Sequence, residues 1–151
     1  SVSAFLLNRS SDLKICANLS SDIGPRPMTV LGNVTALNGA ISNLVTNAIE
    51  AGAQNVKIEL AADTKNVMIS VKNDGPMIKP EVSAHIFEPF YTTKSNGTGL
   101  GLAVVAAVAK VHQGDIRLVS NEKETVFTMI IPKYEGVLEP SESFKDEKSV
   151  A

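Results

Sequence analysis

Hydrophobic and polar positions along the chain change period several times, and each change marks an element. Leu13, Ile15, Ala17 and Leu19 alternate with Lys14, Cys16 and Asn18, a period of two that predicts a strand. SSDIGPRP (20–27) is a turn-rich break, and Met28 to Leu31 reads as a short strand. From Thr35 to Ala51 the period lengthens. Leu37, Ile41, Leu44, Val45, Ala48 and Ile49 form one apolar helical stripe, and Gly52 stops it. Alternation returns at Val56–Leu60 and Asn66–Val71, two strands joined through Asp63–Asn66 as a hairpin. Lys72-Asn73-Asp74-Gly75-Pro76 breaks the second of them. Pro80 to Ile86 reads as a short helix with proline in its first turn. Gly101 to His112 is apolar almost all round, which predicts a deeply buried helix. Ile116–Val119 and Thr125–Ile131 read as a closing hairpin around Asn121–Glu124, ended by Pro132.

Two helices carry polar residues that the amphipathic pattern does not require. Asn43 and Asn47 stand four apart, so they share a face, and Glu50 borders it. Asparagine is a poor helix former. One reading of this pair is a solvated face. The other is an amide oxygen offered to a hard cation, and magnesium carried on nucleotide phosphates takes such sparse protein ligation. Gly97, Gly99 and Gly101 open directly onto the apolar helix. There, free backbone N–H groups and the helix dipole favour an anion, with Lys94 close by in sequence. The run lacks the Lys-Ser/Thr ending of a P-loop and the spacing of a dinucleotide fingerprint, so alone it fits an ordinary turn as well. Asp74, at a strand end, is either an Asx-turn or a carboxylate acceptor for an exocyclic amine.

Composition narrows the class. The 151 residues fit one domain with a sizeable core, and 44% are apolar. Net charge is −2 with basic residues scattered, which argues against a general nucleic-acid or membrane-surface binder. Cys16 is the single cysteine, so there is no internal disulfide; a core thiol is expected. No apolar run is long enough to span a bilayer, and a cytoplasmic location is the expectation. Residues 1–11 read as the end of an upstream linker or helix, 12–132 as the domain, and 133–151 as a flexible tail.

Four stretches in order resemble the ATP-binding catalytic domain of two-component sensor histidine kinases, of the superfamily shared with gyrase, Hsp90 and MutL. NLVTNAIEA (43–51) is similar to the N box, NDGPMI (73–78) to the G1 box, IFEPFYTTK (86–94) to the F box and GTGLGL (97–102) to the G2 box. The resemblance implies the Bergerat fold. This is an α/β two-layer sandwich, with about three helices on one face of a mixed, mostly antiparallel sheet and a short lid from Phe87 to Asn96. It implies ATP and Mg²⁺ as cofactors, with Asn47 the metal ligand and Asn43, Asn47 and Lys94 the catalytic set. Asp74 would accept from the adenine amine and Gly75 would let the base approach. Ile78, Phe90, Thr93, Thr98 and Leu102 would complete the nucleotide site. Gly99, Leu100 and Gly101 would offer N–H groups to the phosphates. Met77 and Glu50 depart from the pattern, which usually has glycine at the first and often lysine at the second; the acid removes a phosphate contact that Lys94 is placed to replace.

An amide at Asn43 cannot take a proton from water, whereas hydrolysing relatives carry a glutamate there. The implied activity is therefore γ-phosphoryl transfer to a histidine on an upstream dimerisation domain, then relay to a response regulator. His85 and His112 read as structural, since neither has the acidic neighbour and helical setting of a phosphoacceptor. The alternatives are an ATP hydrolase of the gyrase–MutL kind, a degenerate nucleotide-sensing or partner-binding module, and an anti-sigma serine kinase.

Overall fold

The computed structural model describes the backbone of residues 14–19 and the chain from residue 29 to 135. The expected linker at 1–11, the loop at 20–27, the Cys16 side chain and most of the expected tail lie outside the described residues. Five strands, β1 (Lys14–Leu19), β2 (Asn55–Ala62), β3 (Asn66–Asn73), β4 (Asp115–Ser120) and β5 (Thr125–Pro132), form one sheet in the order β1-β2-β3-β5-β4. Only β1 and β2 run parallel; the other three pairs are antiparallel. Helices α1 (Val34–Glu50), α2 (Pro80–Ser83) and α3 (Gly101–Val111) complete the α/β sandwich that the resemblance implies.

Local chemistry explains where α1 starts and stops. Asn33 Oδ1 accepts from the Ala36 N–H at 2.9 Å and caps the first turn. At the other end Gly52 takes a positive φ of 88°, with Gly52 N donating to Ile49 O and Ala53 N to Ala48 O. That is a Schellman stop, which glycine adopts without a Cβ penalty. Ala40, Leu44 and Ala48 make the buried stripe of α1 and meet Val105 and Ala109 of α3.

The sheet's inner face is set by alternation. Val67, Val71 and Asn73 of β3, and Thr125, Phe127, Met129 and Ile131 of β5, all point into the helix layer and are buried. Lys57, Glu59 and Lys72 pair on the opposite face, and Ser70 and Thr128 bond across β3 and β5 at 2.9 Å. In the β2–β3 hairpin Asp63 Oδ1 accepts from the N–H groups of Lys65 and Asn66, each at 2.7 Å.

Two expectations are corrected. Residues 29–31 are not a strand. Thr29 O accepts a single bond from Tyr134 N at 2.8 Å, and no ladder follows from it. Helix α3 is not buried all round. Val105 and Ala109 are, but Val104 is 45% and Val111 80% exposed. A helix lying on one face of a sheet and touching one neighbouring helix has only one side to bury, however apolar its sequence. Among the described residues no helix is long and apolar enough to cross a membrane.

His112 closes α3 and joins it to the start of α1. Its Nδ1 donates to Val108 O at 2.7 Å and its Nε2 accepts from Asn33 N at 3.0 Å, which assigns the proton to Nδ1. Both nitrogens are consumed by the fold, so the structural reading holds for this residue.

Candidate nucleotide site

A cleft of about 330 Å³ runs between α1, the irregular segment after α2 and the start of α3. That is a size common for small-molecule sites. Helix α1 presents Asn43, Thr46, Asn47 and Glu50 to it, one face of two helical turns. Thr93, Lys94 and Thr98 line the lid side, and Gly99, Gly101 and Leu102 line the mouth of α3. The cleft thus unites residues more than forty positions apart in the sequence.

The α3 end is built for an anion. Its N-cap, Leu100, makes no side-chain cap bond, and among the described residues the N–H groups of Gly101, Leu102 and Ala103 have no acceptor. Unfilled first-turn donors at the positive end of a helix dipole attract phosphate oxygens. Asn43 Nδ2 donates to Gly101 O at 3.3 Å and ties this mouth to α1.

The other wall holds a cation already. Lys94 Nζ donates to Asn47 Oδ1 at 3.2 Å and to Glu50 Oε2 at 2.6 Å. An ammonium seated between an amide oxygen and a carboxylate shows that this spot has the oxygen donors a hard cation needs, so Mg²⁺ fits here. Lys94 is turned to Glu50 rather than to the phosphate mouth. Its charge is spent on the acid that departs from the resembled pattern.

The lid is pinned at both limbs. Phe87 enters the core and meets Phe127 edge to face, with centroids 6.1 Å apart. Phe90 N donates to Gly99 O at 2.9 Å, linking the start of the lid to its end. Phe90 and Gly99 both take positive φ, 67° and 69°. The Phe90 side chain is 76% exposed and does not line the cleft. Leu100, at 39%, does not line it either.

Asp74, Gly75 and Ile78 are also absent from the cleft lining. Both Asp74 oxygens are used elsewhere: Oδ1 accepts from Gln54 N and Asn55 N, each at 2.9 Å, and Oδ2 from Asn55 Nδ2 at 2.6 Å. These bonds, the Asn55 side chain first, hold its carboxyl below the usual range. The Asx-type reading therefore describes this residue in the structure: it locks the end of β3 to the start of β2. Asp74→Ala is expected to cost about 0.5–1 kcal/mol, at the low end for an exposed site. Because the folded carboxyl ionises below its unfolded value of about 3.9, its contribution is whole above that pH and disappears as pH falls through the folded value. Urea unfolding of both proteins at pH 7 and pH 3 checks this, the difference between them shrinking at the lower pH.

Among the described residues three are buried and polar: Asn73, His112 and Thr125. Asn73 and Thr125 lie opposite one another across β3 and β5. Thr125 Oγ1 lies 2.6 Å from Ser120 Oγ, which accepts from Ile78 N at 2.8 Å. Sequence reasoning passed over this pair, although the signal was there. Asn73 continues the inward period of Val67, Ile69 and Val71, whereas Asp74 falls off it. His85 also has more company than its sequence suggests: its Nδ1 is 2.8 Å from Glu88 Oε1, and its ring lies 5.7 Å from that of Tyr91.

A sheet backed by two helices, with an amide-bearing helix facing an uncapped helix start across a lidded cleft, defines a nucleotide-binding domain. Comparison with known proteins specifies which kind. The sequence profile of the histidine kinase-, DNA gyrase B- and HSP90-like ATPases matches residues 32–135, and the chain belongs to that family. Sensor histidine kinase CpxA of Escherichia coli is 36% identical over 106 residues, 66% of this chain and 23% of CpxA. The nucleotide-free catalytic domain of histidine kinase ThkA superposes with a TM-score of 0.70 at 34% identity, covering 81% of this chain and 80% of that one. Full-length ShkA in complex with AMPPNP gives a TM-score of 0.69 at 27% identity, covering 80% of this chain and 26% of that one. The chain spans about a quarter of the length of the curated relatives it matches.

Proposed function

We propose that this domain binds Mg-ATP and supplies the γ-phosphoryl group to a histidine on a separate helical dimerisation domain of the same protein, for relay to a response-regulator receiver domain. The observation that carries this reading is the cleft itself, with Asn47 on one wall and the free N–H groups of α3 on the other. The AMPPNP bound by ShkA supports a nucleotide as the occupant.

Each part has a task. The α3 mouth holds phosphate oxygens, and Asn47 offers Oδ1 to the metal. Bound Mg²⁺ supplies charge neutralisation on the phosphates. Lys94 leaves Glu50 and Asn47 and turns its ammonium toward the same phosphates. The lid from Phe87 to Asn96 closes over them and excludes water. Transfer breaks the bond between the γ-phosphorus and its bridging oxygen and forms one to an imidazole nitrogen, leaving ADP, with the imidazole N–H proton passing to solvent. Glu50 is the sole carboxylate lining the cleft among the described residues, and Asn43, where hydrolysing relatives carry a glutamate, is an amide that cannot take a proton from water. This favours transfer over the hydrolase alternative.

Labelled ATP, given to this chain joined to a dimerisation domain with its histidine, tests the proposal. An acid-labile, base-stable label is expected. ATP binding with no label on the histidine would sink it. A second measurement tests the role of Lys94. Releasing it from Glu50 removes an exposed ion pair worth about 0.2–1 kcal/mol, so Glu50→Gln is expected to tighten Mg-ATP binding by roughly 1.5- to 5-fold in calorimetry. Weaker binding would mean that Glu50 itself helps to hold the metal.

A further inference from the structure

Asn73 is a buried amide with one end satisfied and the other left over. Its side chain is 6% exposed, and its Oδ1 accepts from Gly75 N at 2.9 Å. An N–H can only donate, so the atom facing Gly75 must be the oxygen and the amide cannot be turned round. That leaves Nδ2, which has no hydrogen-bond partner among the described residues and yet is not sealed from solvent. An inward-facing amide donor without a protein partner is a recognition element waiting for an acceptor.

Its level beside α1, at the end of β3, says which part of a ligand it meets. Asn43 stands beside the α3 mouth, and Asn47 follows one turn on. Another turn brings Ala51, where a Cβ placed on Gly75 would lie 3.7 Å from the side chains of Ala51 and Ala53. From the Asn43 level to the Ala51 level is about 12 Å along the helix, the reach of a nucleoside triphosphate from phosphates to base. With phosphates at the α3 mouth, a base that reaches past the cleft lining to the Ala51 level would come to Gly75, beside Asn73 and Thr125.

We propose that Asn73 reads position 6 of the purine through Nδ2, so that the site takes a 6-oxopurine nucleoside triphosphate at least as well as ATP. The inference rests on the nucleotide reading of the cleft. Adenine offers an amine at position 6, and two donors face each other if Nδ2 is there. A 6-oxopurine offers a carbonyl oxygen, which Nδ2 can satisfy, and an N1–H, which needs an acceptor. The Ser120–Thr125 hydroxyl pair supplies one, because a hydroxyl oxygen accepts as readily as its proton donates. A carboxylate at position 73 would act in the opposite sense, with one oxygen for Gly75 N and the second for the adenine amine.

ATP and ITP differ only at this edge of the base, so their ratio reads the contact alone. Dissociation constants of the 151-residue chain for Mg-ATP and Mg-ITP are measured by calorimetry, for the native protein and for Asn73→Asp. The native chain is expected to bind ITP with equal or higher affinity. Asn73→Asp is expected to move the ratio at least about tenfold toward ATP, the scale of one charge-assisted hydrogen bond at a desolvated site. Native protein that favours ATP tenfold overturns the proposal while leaving the nucleotide site intact, and so does a ratio that the substitution leaves unchanged. Failure of the native chain to bind either triphosphate overturns both. The native ratio decides even where the variant does not fold.

Discussion

Asn47→Ala is expected to weaken Mg-ATP binding by at least about 100-fold, the loss of the amide oxygen we propose for the metal at its phosphates. Stability should change little, because Asn47 is only half-buried on α1 and its amide has Lys94 as its side-chain partner. Alanine is also the better helix former. The expected pattern is therefore lost magnesium-dependent affinity with an unchanged or higher melting temperature. Calorimetry with and without Mg²⁺ separates the two parts. Binding that Mg²⁺ strengthens as much in the variant as in the native protein would remove Asn47 from the metal site. Lys94 adds a check. In the variant its ammonium keeps only Glu50, so affinity for metal-free ATP should fall far less than affinity for Mg-ATP.

Gly99→Ala is the second large effect, and it acts through the lid. Gly99 has φ of 69°, where an L-residue is disfavoured by about 1–2 kcal/mol. A Cβ there would also stand 2.7 Å from both the Cα and the carbonyl oxygen of Phe90, closer than atoms in proteins pack. Backbone cannot move aside as a flexible side chain does. The bond from Phe90 N to Gly99 O should break, and the two limbs of the lid should part. Roughly 10- to 100-fold weaker nucleotide binding is expected, equal to about 1.4–2.7 kcal/mol. Neither Phe90 nor Gly99 belongs to the core cluster, so unfolding should shift by less than binding does. Proteolysis within residues 87–100 should become faster in the variant. A Gly99→Ala protein with native affinity and native protease resistance would show that the lid does not depend on this contact.

Much of the fold was legible because its signals are local. The amide pair of α1 stands out in any helical reading, since Asn43 and Asn47 interrupt an apolar stripe at a spacing that puts them on one side. The Asp63 hairpin and the glycine stop of α1 are decided by a few neighbouring residues. The glycine run before α3 announces a close approach of backbone, and Phe90 is the partner it approaches.

The differences between expectation and structure share a cause: each concerned what lies across the fold rather than along the chain. An apolar helix looks buried until its neighbours are known, and Val111 of α3 has none on its outer side. Lys94, expected at the phosphates, pairs in this structure with a glutamate 44 positions away. Asp74 was open to two readings, an Asx-turn or the acceptor for the base that the resemblance implies. Asn55, brought alongside by strand pairing, uses that carboxylate first, and the quieter amide at Asn73 faces inward.

Periodicity and turn chemistry, read from the amino acids alone, determined most of the strands and helices, the amide pair on one face of α1 and the glycine turn before α3, because each depends on neighbours within a turn or a hairpin. Only the tertiary structure decided which side chains share the cleft, which acid pairs with Lys94 and which of two adjacent residues, Asn73 or Asp74, faces inward. Those outcomes depend on strand pairing and helix packing, which bring together atoms that the order of residues leaves far apart.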